Sequence, residues 1–472
     1  MKHTTNMGIT ANGLWALPLA LTIALAGCGS ATTIEQEAPA SEEAATEEKA
    51  QERQAVSDDT DNGHAIIASG EEASYVSVDV NKTGEADGDE ADFYGTNAAV
   101  YAEEGATLDL DDITVTTSGT HANAVFSYGE GTTVNISDST IDTTGNCSGG
   151  IMVTGGGTLT ANDLAVHTTG NSSAAIRSDR GGGTQVVTGG TYTTDGTGSP
   201  AIYSTADVTV RDASLESTAS QGVVVEGKNS VTLENVDLTA SNTTKNSDKS
   251  DWYQAVMIYQ SMSGDATEGE ASFSTNGGSI TNKSGDVFFV NNTIASIGLT
   301  GTSVTNEDAE GVLLRIAAAG WGSEGSNGGH VTLSLSDETI EGDIVVDEIS
   351  ELNASLAGKT TYTGAINTAD EGAVHVEIES GSRWVLTGDS HVTSLTCDSD
   401  AIDLNGHTLT VGGETYQEGT ASTGTAIEFT LPQGGTMGGM PGEGGQPPAK
   451  PEGEGPGGPG ANGGEPPAKP GE

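Results

Sequence analysis

A unit of about 25 residues repeats from about Asn97 to Asn242, and this limits the fold more than any other feature. The copies read NAAVYAEEGATLDLDDITVTTSG, NAVFSYGEGTTVNISDSTIDTTGN, GGIMVTGGGTLTANDLAVHTTGN and AAIRSDRGGGTQVVTGGTYTTDG, then PAIYSTADVTVRDASLESTAS and GVVVEGKNSVTLENVDLTASN. Each copy holds three short apolar runs with period-two alternation, separated by Gly, Ser, Thr, Asn or Asp. No copy carries a helical period. Three short strands per repeat and no helix predict an all-β fold, a right-handed parallel β-helix with one repeat per coil and about 12 coils.

Two columns support this reading. One is apolar: Val100, Val125, Ile151, Ile176, Ile202, Val223, Val256, Val287, Val312 and Ile344. Stiff, branched side chains suit an inward strand position on a pleated surface. The other lies three residues before the inward residue of each third strand: Asp112, Asp138, Asp163, Gly189, Asp212, Asn235, Gly277, Gly301 and Asp337. Asp, Asn and Gly tolerate left-handed backbone or bond their own backbone in tight turns. The column therefore reads as a stacked corner between second and third strands, and corner chemistry accounts for its aspartates better than catalysis does.

The flanking segments differ in composition. Residues 1–27 form a targeting segment, with a weakly basic start, an apolar run from Leu14 to Ala26 and small residues at its end. That end, Leu25-Ala26-Gly27-Cys28, resembles the lipobox of bacterial lipoproteins. The resemblance implies that Cys28 becomes the lipid-bearing N-terminus, anchored by methylenes buried in the bilayer, with an ordinary cleaved signal peptide as the alternative. Residues 28–70 are rich in Glu, Ala, Thr and Ser and read as a disordered acidic tether. The β-helix with its C-terminal cap is expected over 71–430, its first strand being Tyr75-Val76-Ser77-Val78-Asp79-Val80. Residues 431–472 are a low-complexity Gly/Pro/Glu tail, expected to be disordered. This tail has neither a Leu-Pro-x-Thr-Gly sorting motif nor a terminal apolar segment, which leaves the anchoring to Cys28.

Candidate binding residues follow from strand parity. If the apolar column faces in, its neighbours Tyr101, Phe126, Met152, Arg177, Tyr203, Val224, Met257, Phe288, Leu313 and Val345 face out, with Tyr128, Tyr259 and Arg315 two residues further on. An exposed apolar stripe is a contact surface, and aromatic rings spaced by the strand separation suit an extended sugar polymer. Three expansions, 241–254, 261–271 and 317–329, rise beside this face and carry Trp252, Tyr253 and Trp321. The expected site is a groove floored by Met257, Tyr259, Phe288 and Arg315 and walled by these loops. The alternatives are that the loops cover the stripe, that the tryptophans pin their own loops, or that parity slips by one residue.

Metal and enzyme readings are weaker. The acidic loop with Asp87, Asp89, Glu90 and Asp92 offers oxygens of the kind calcium binds, but it lacks the spacing of the helix-loop-helix site; a solvated loop is the plainer reading. The histidines show no metal-ligand pattern. Cys147 and Cys397 lie too many coils apart to pair, so both are expected to be free thiols. With 68 acidic and 16 basic side chains the net charge is -52, which repels nucleic acid and anionic headgroups and favours neutral glycans or basic protein surfaces.

Residues about 75–413 resemble the right-handed β-helix surface proteins of Gram-positive gut bacteria. Ser380–Gly413, with its Trp strand, Thr-Gly-Asp-Ser turn and final Asn-Gly turn, is similar to the C-terminal passenger region of pertactin-type adhesins. The resemblance implies a location outside the cell membrane and a polysaccharide or surface protein as partner. Of the polygalacturonase signatures only a paired Asp111-Asp112 occurs, and Asp112 belongs to the corner column; the pectate-lyase Arg-x-Pro-x-x-Arg pattern is absent. Three functions stay open: a lipid-anchored adhesin or glycan-binding module, a self-associating structural protein, and a pectin-lyase-like polysaccharide-degrading enzyme. The last requires two acids and a base converging in one groove.

Overall fold

The computed structural model of the chain describes residues 53–429, apart from 89, 244, 246–248 and 262. Strands recur in threes, and each pairs in parallel with its counterpart in the next coil. The result is a right-handed parallel β-helix with sheets of 10, 11 and 13 strands. Residues that alternate branched-apolar with polar, punctuated by Gly and Asp, give this fold because each coil can bury its inward side chains only by stacking.

The 11-stranded sheet carries the first strand of each coil. Its Cα register stacks Ile66, Val100, Val125, Ile151, Ile176, Ile202, Val223 and Val256, then Phe288, Leu314 and Ile344, all buried in the core. Phe288 and Leu314 therefore occupy the places expected of Val287 and Val312. Phe288 packs inside, its ring centroid 5.7 Å from that of Phe273. Phe289, not Phe288, points to the outer face. The slip has a plain cause: Val287-Phe288-Phe289-Val290 is apolar throughout, so alternation does not say which phenylalanine faces in.

The corners are built on positive φ. Asp112, Asp138, Asp163, Asp212, Asn235 and Asp337 have φ between 49° and 55°, and Gly189, Gly277 and Gly301 between 59° and 70°. An alanine held there costs about 1–2 kcal/mol, whereas glycine relieves the strain. Asp163→Ala should therefore lower denaturant stability by about that amount and Asp163→Gly by clearly less. Equal losses would show that the aspartate side chain, not the backbone, matters at this corner.

The fold begins earlier than the composition indicates. Gln54–Asp58 pairs with Val78–Lys82, and Ile66–Ser69 pairs with Val100–Glu103, so two paired strands lie inside the segment expected to be a tether. The stretch Tyr75–Val80 is not one strand; it is broken at Ser77 (φ 54°) into Glu72–Val76 and Val78–Lys82. Lys82 explains part of this. Its fully buried ammonium lies 2.8 Å from Asp58 and donates to the Thr60 carbonyl at 2.5 Å. A charge buried at that position needs the preceding coil as its partner.

At the other end the three-strand pattern shrinks, and Trp384 fills the narrowing core with its Nε1 donating to the Gly364 carbonyl. The chain then turns back. Ser422 bridges Cys397 in the antiparallel sense, Asn353 exchanges two hydrogen bonds with Ile427, and Phe429 lies against His330. The segments read as a signal peptide and a C-terminal tail, and with them Cys28, lie outside the described residues. Among the described residues no helix is long and apolar enough to cross a membrane.

Candidate functional site: the roofed outer face

On the 11-stranded sheet the outward row reads Ile67, Tyr101, Phe126, Met152, Arg177, Tyr203, Val224, Met257, Phe289, Arg315 and Val345. This row is covered over most of its length. The first cover is the segment before Val100, which includes the helix α1 (Glu90–Tyr94). His64 stacks on Tyr101 at 4.5 Å, Tyr94 meets Tyr128 edge-on at 5.8 Å, and Thr154 donates to the Phe93 carbonyl at 2.7 Å. Tyr101, Phe126 and Met152 are fully buried beneath it. Gly95 (φ 69°) lets the backbone cross here, since a Cβ at that position would come within 2.7 Å of Tyr101 and 2.9 Å of Phe126.

The second cover comes from the expanded loops. Val224, Met257, Tyr259, Phe289, Ala317 and Trp321 form a second buried cluster, with Tyr203, Trp252 and Ala319 packed on it. Tyr259 and Trp321 meet at 5.1 Å, and Trp252 and Phe289 at 5.4 Å. Arg315 is paired to Asp286 at 2.6 Å and lies 5.0 Å over the Trp252 ring. Of the expected binding residues, Met257, Tyr259 and Trp321 therefore come together but are buried. Trp252, Tyr253 and Arg315 are half-buried, and Phe288 is in the core. The loops roof the floor instead of walling an open groove, because an apolar stripe this long gains more from being covered than from facing water.

A charged belt separates the two apolar clusters. Asp92, from α1, receives Arg177 through Nη1 at 3.2 Å and Nη2 at 3.1 Å, and His121 Nδ1 lies 3.1 Å away. Arg177 Nη2 also reaches Asp179 at 3.2 Å. Arg180 pairs with Asp265 of the second roof at 2.7 Å, and its guanidinium lies 3.9 Å over the Phe93 ring of the first. Glu226, fully buried, accepts hydrogen bonds from Tyr203 at 2.6 Å, Tyr259 at 3.0 Å and Ser261.

The electrostatics follow from burial and neighbours. Burial pushes the Asp179 carboxyl up; Arg177 pulls it back, but Asp92 and Asp265 add to the rise, which reaches about 7. Burial likewise raises Glu226 despite its three hydroxyl donors. Burial would raise Asp92 too, but Arg177 and His121 outweigh it and hold the carboxyl low. Burial disfavours the charged His121 ring, yet Asp92 and Cys147 lift it to about 10.

Of the four acids considered for calcium, Asp87 and Glu90 are exposed, Asp89 lies outside the described residues, and Asp92 alone is buried. Both remaining cysteines, Cys147 and Cys397, are free. Asp92, Asp179, His121 and Arg177 do converge, although Arg177 is engaged by both carboxylates and each side chain is only about a tenth exposed. The sequence placed Arg177 on this face but not its partner Asp92, whose contact with Arg177 spans 85 residues.

No family model matches the chain, and neither the curated proteins nor the solved structures contain a match. The fold and its covered face define the class: a parallel β-helix whose first-strand sheet is roofed by insertions.

Proposed function

We propose that the protein is a surface recognition module, anchored through lipid on Cys28 at the outer face of a bacterial cell membrane, which binds a neutral polysaccharide or the surface protein of another cell. The observation that carries this reading is Trp252. It is half-buried, and its ring packs against Phe289 at 5.4 Å and under the Arg315 guanidinium at 5.0 Å. A ring held in place by its neighbours loses little side-chain freedom when a sugar face stacks on it. Tyr253 lies beside it, also half-buried. The net charge of -52 favours uncharged glycans over polyanionic ones.

The test is a glycan array probed with the full chain, followed by titration of the best ligand. Trp252→Ala should weaken binding about five- to tenfold, the loss of one stacked ring at ~1–1.5 kcal/mol. Binding that ignores this substitution removes the Trp252 site. Absence of any glycan ligand turns the search to surface proteins.

A further inference from the structure

Each coil has a second corner, between its third strand and the next first strand. In four successive coils it reads Gly119-Thr120-His121-Ala122, Gly145-Asn146-Cys147-Ser148, Gly170-Asn171-Ser172-Ser173 and Gly196-Thr197-Gly198-Ser199. The third residue has positive φ each time, at 56°, 55°, 56° and 64°. Gly198 and Ser172 are small residues such a corner accommodates. Cysteine is not a residue the turn asks for, and histidine, although it tolerates positive φ, is far larger than the residues at the next two corners. Their corners are adjacent, since His121 N donates to the Asn146 carbonyl at 2.9 Å and Cys147 N to the Asn171 carbonyl at 2.8 Å. Asp92 is brought to the same place by α1, from a separate segment of chain. One ligand atom from each of the three lies within 4.8 Å of the others.

We propose that Asp92, His121 and Cys147 form a binding site for a thiophilic divalent cation of the zinc type. One sulfur, one imidazole nitrogen and one carboxylate oxygen are a donor set that zinc accepts, whereas calcium needs six or more oxygens. A second observation points the same way. The His121 side chain is about a tenth exposed, and its Nδ1 lies 3.1 Å from Asp92 Oδ2 without the alignment of a hydrogen bond. Two polar atoms side by side and not aligned with each other is how neighbouring ligands of one ion sit. Arg177 bonds both Asp92 oxygens and so orients that carboxylate, as outer partners of ligating groups do. The guanidinium also opposes a dication, which makes the site exchangeable and not permanently filled. Cys147 is half-buried and gives the ion a way in.

The full chain, reduced and freed of metal with a chelator that is then removed, is titrated with cobalt(II) and with zinc(II). Cobalt should give a thiolate-to-metal charge-transfer band at one equivalent, and zinc should displace it. Alkylation of Cys147, followed by mass spectrometry so that Cys397 serves as an internal reference, should slow at least tenfold with zinc bound. Cys147→Ser should abolish the band and His121→Asn should weaken binding more than about tenfold. Both variants are expected to fold, because serine already stands at the equivalent corner in Ser172 and asparagine tolerates positive φ. A band that survives Cys147→Ser, or a Cys147 alkylated at the same rate with and without zinc, overturns the proposal.

Discussion

Replacing Asp58 with alanine is expected to open the first coil while the rest of the solenoid stays folded. Lys82 is fully buried and 2.8 Å from Asp58, and burial of Asp58 itself is outweighed by Lys82 and Thr60, which hold its carboxyl low. Removing one partner of a buried pair leaves the other charge uncompensated, at a cost of roughly 3–5 kcal/mol. In a stacked fold each coil leans only on its neighbours, so the loss stays local. Hydrogen exchange should accelerate across residues 54–82 in Asp58→Ala, with little change beyond about residue 150. Adding Lys82→Met should restore most of the protection, since an apolar side chain of similar length carries no charge to bury. Unchanged exchange in Asp58→Ala would mean that the ion pair is not what holds this coil to the stack.

Asp179→Asn should stabilise the protein at pH 8 and have little effect at pH 5. A carboxyl that titrates near 3.8 when unfolded and near 7 when folded binds its proton more tightly in the native state. The stabilisation from that proton is complete below about pH 4 and is lost as pH rises through 7. Three units at about 1.36 kcal/mol each set a ceiling of roughly 4 kcal/mol; relaxation around the charge lowers the expected gain to roughly 1–3 kcal/mol. Asparagine keeps an oxygen to accept from the Arg180 amide, which donates to Asp179 at 2.9 Å. Glu226, also raised by burial, acts in the same sense in the parent protein. The measurement is the denaturation midpoint of both proteins at pH 5 and pH 8. A variant less stable than the parent at pH 8 would show that Asp179 serves Arg177 as an ordinary ion-pair partner.

The β-helix was legible because its two strongest rules are local. Strand alternation and the corner series from Asp112 to Asp337 need only a few neighbouring residues to be read. Parity failed at Val287–Val290, where every residue is apolar and only packing against Phe273 decides between Phe288 and Phe289. The first coil was missed because Gln54–Asp58 exposes polar side chains around Val56 alone, a composition shared with disordered acidic segments. The charged belt was not legible as a unit. Asp92 reads as one acid in an acidic loop until α1 carries it to Arg177, and periodicity does not encode that contact. His121 and Cys147 left a fainter trace, as neighbours at a corner that holds Ser172 and Gly198 in the next two coils.

The bridge from α1 also bears on how a repeat protein of this kind changes length. Corners and strands alone would let coils be duplicated or deleted freely, because every coil presents the same surfaces to the next. Across the span bridged by α1 that freedom is gone. Phe93 is bonded to Thr154, Asp92 to Arg177, and Gly95 crosses over Tyr101 and Phe126. One coil more or less between Val100 and Ile176 would displace these partners by the strand spacing of about 4.8 Å, beyond the reach of any of the contacts. The insertion thus acts as a ruler: copy number is locked beneath it, and further gain or loss of repeats is confined to stretches that no roof spans.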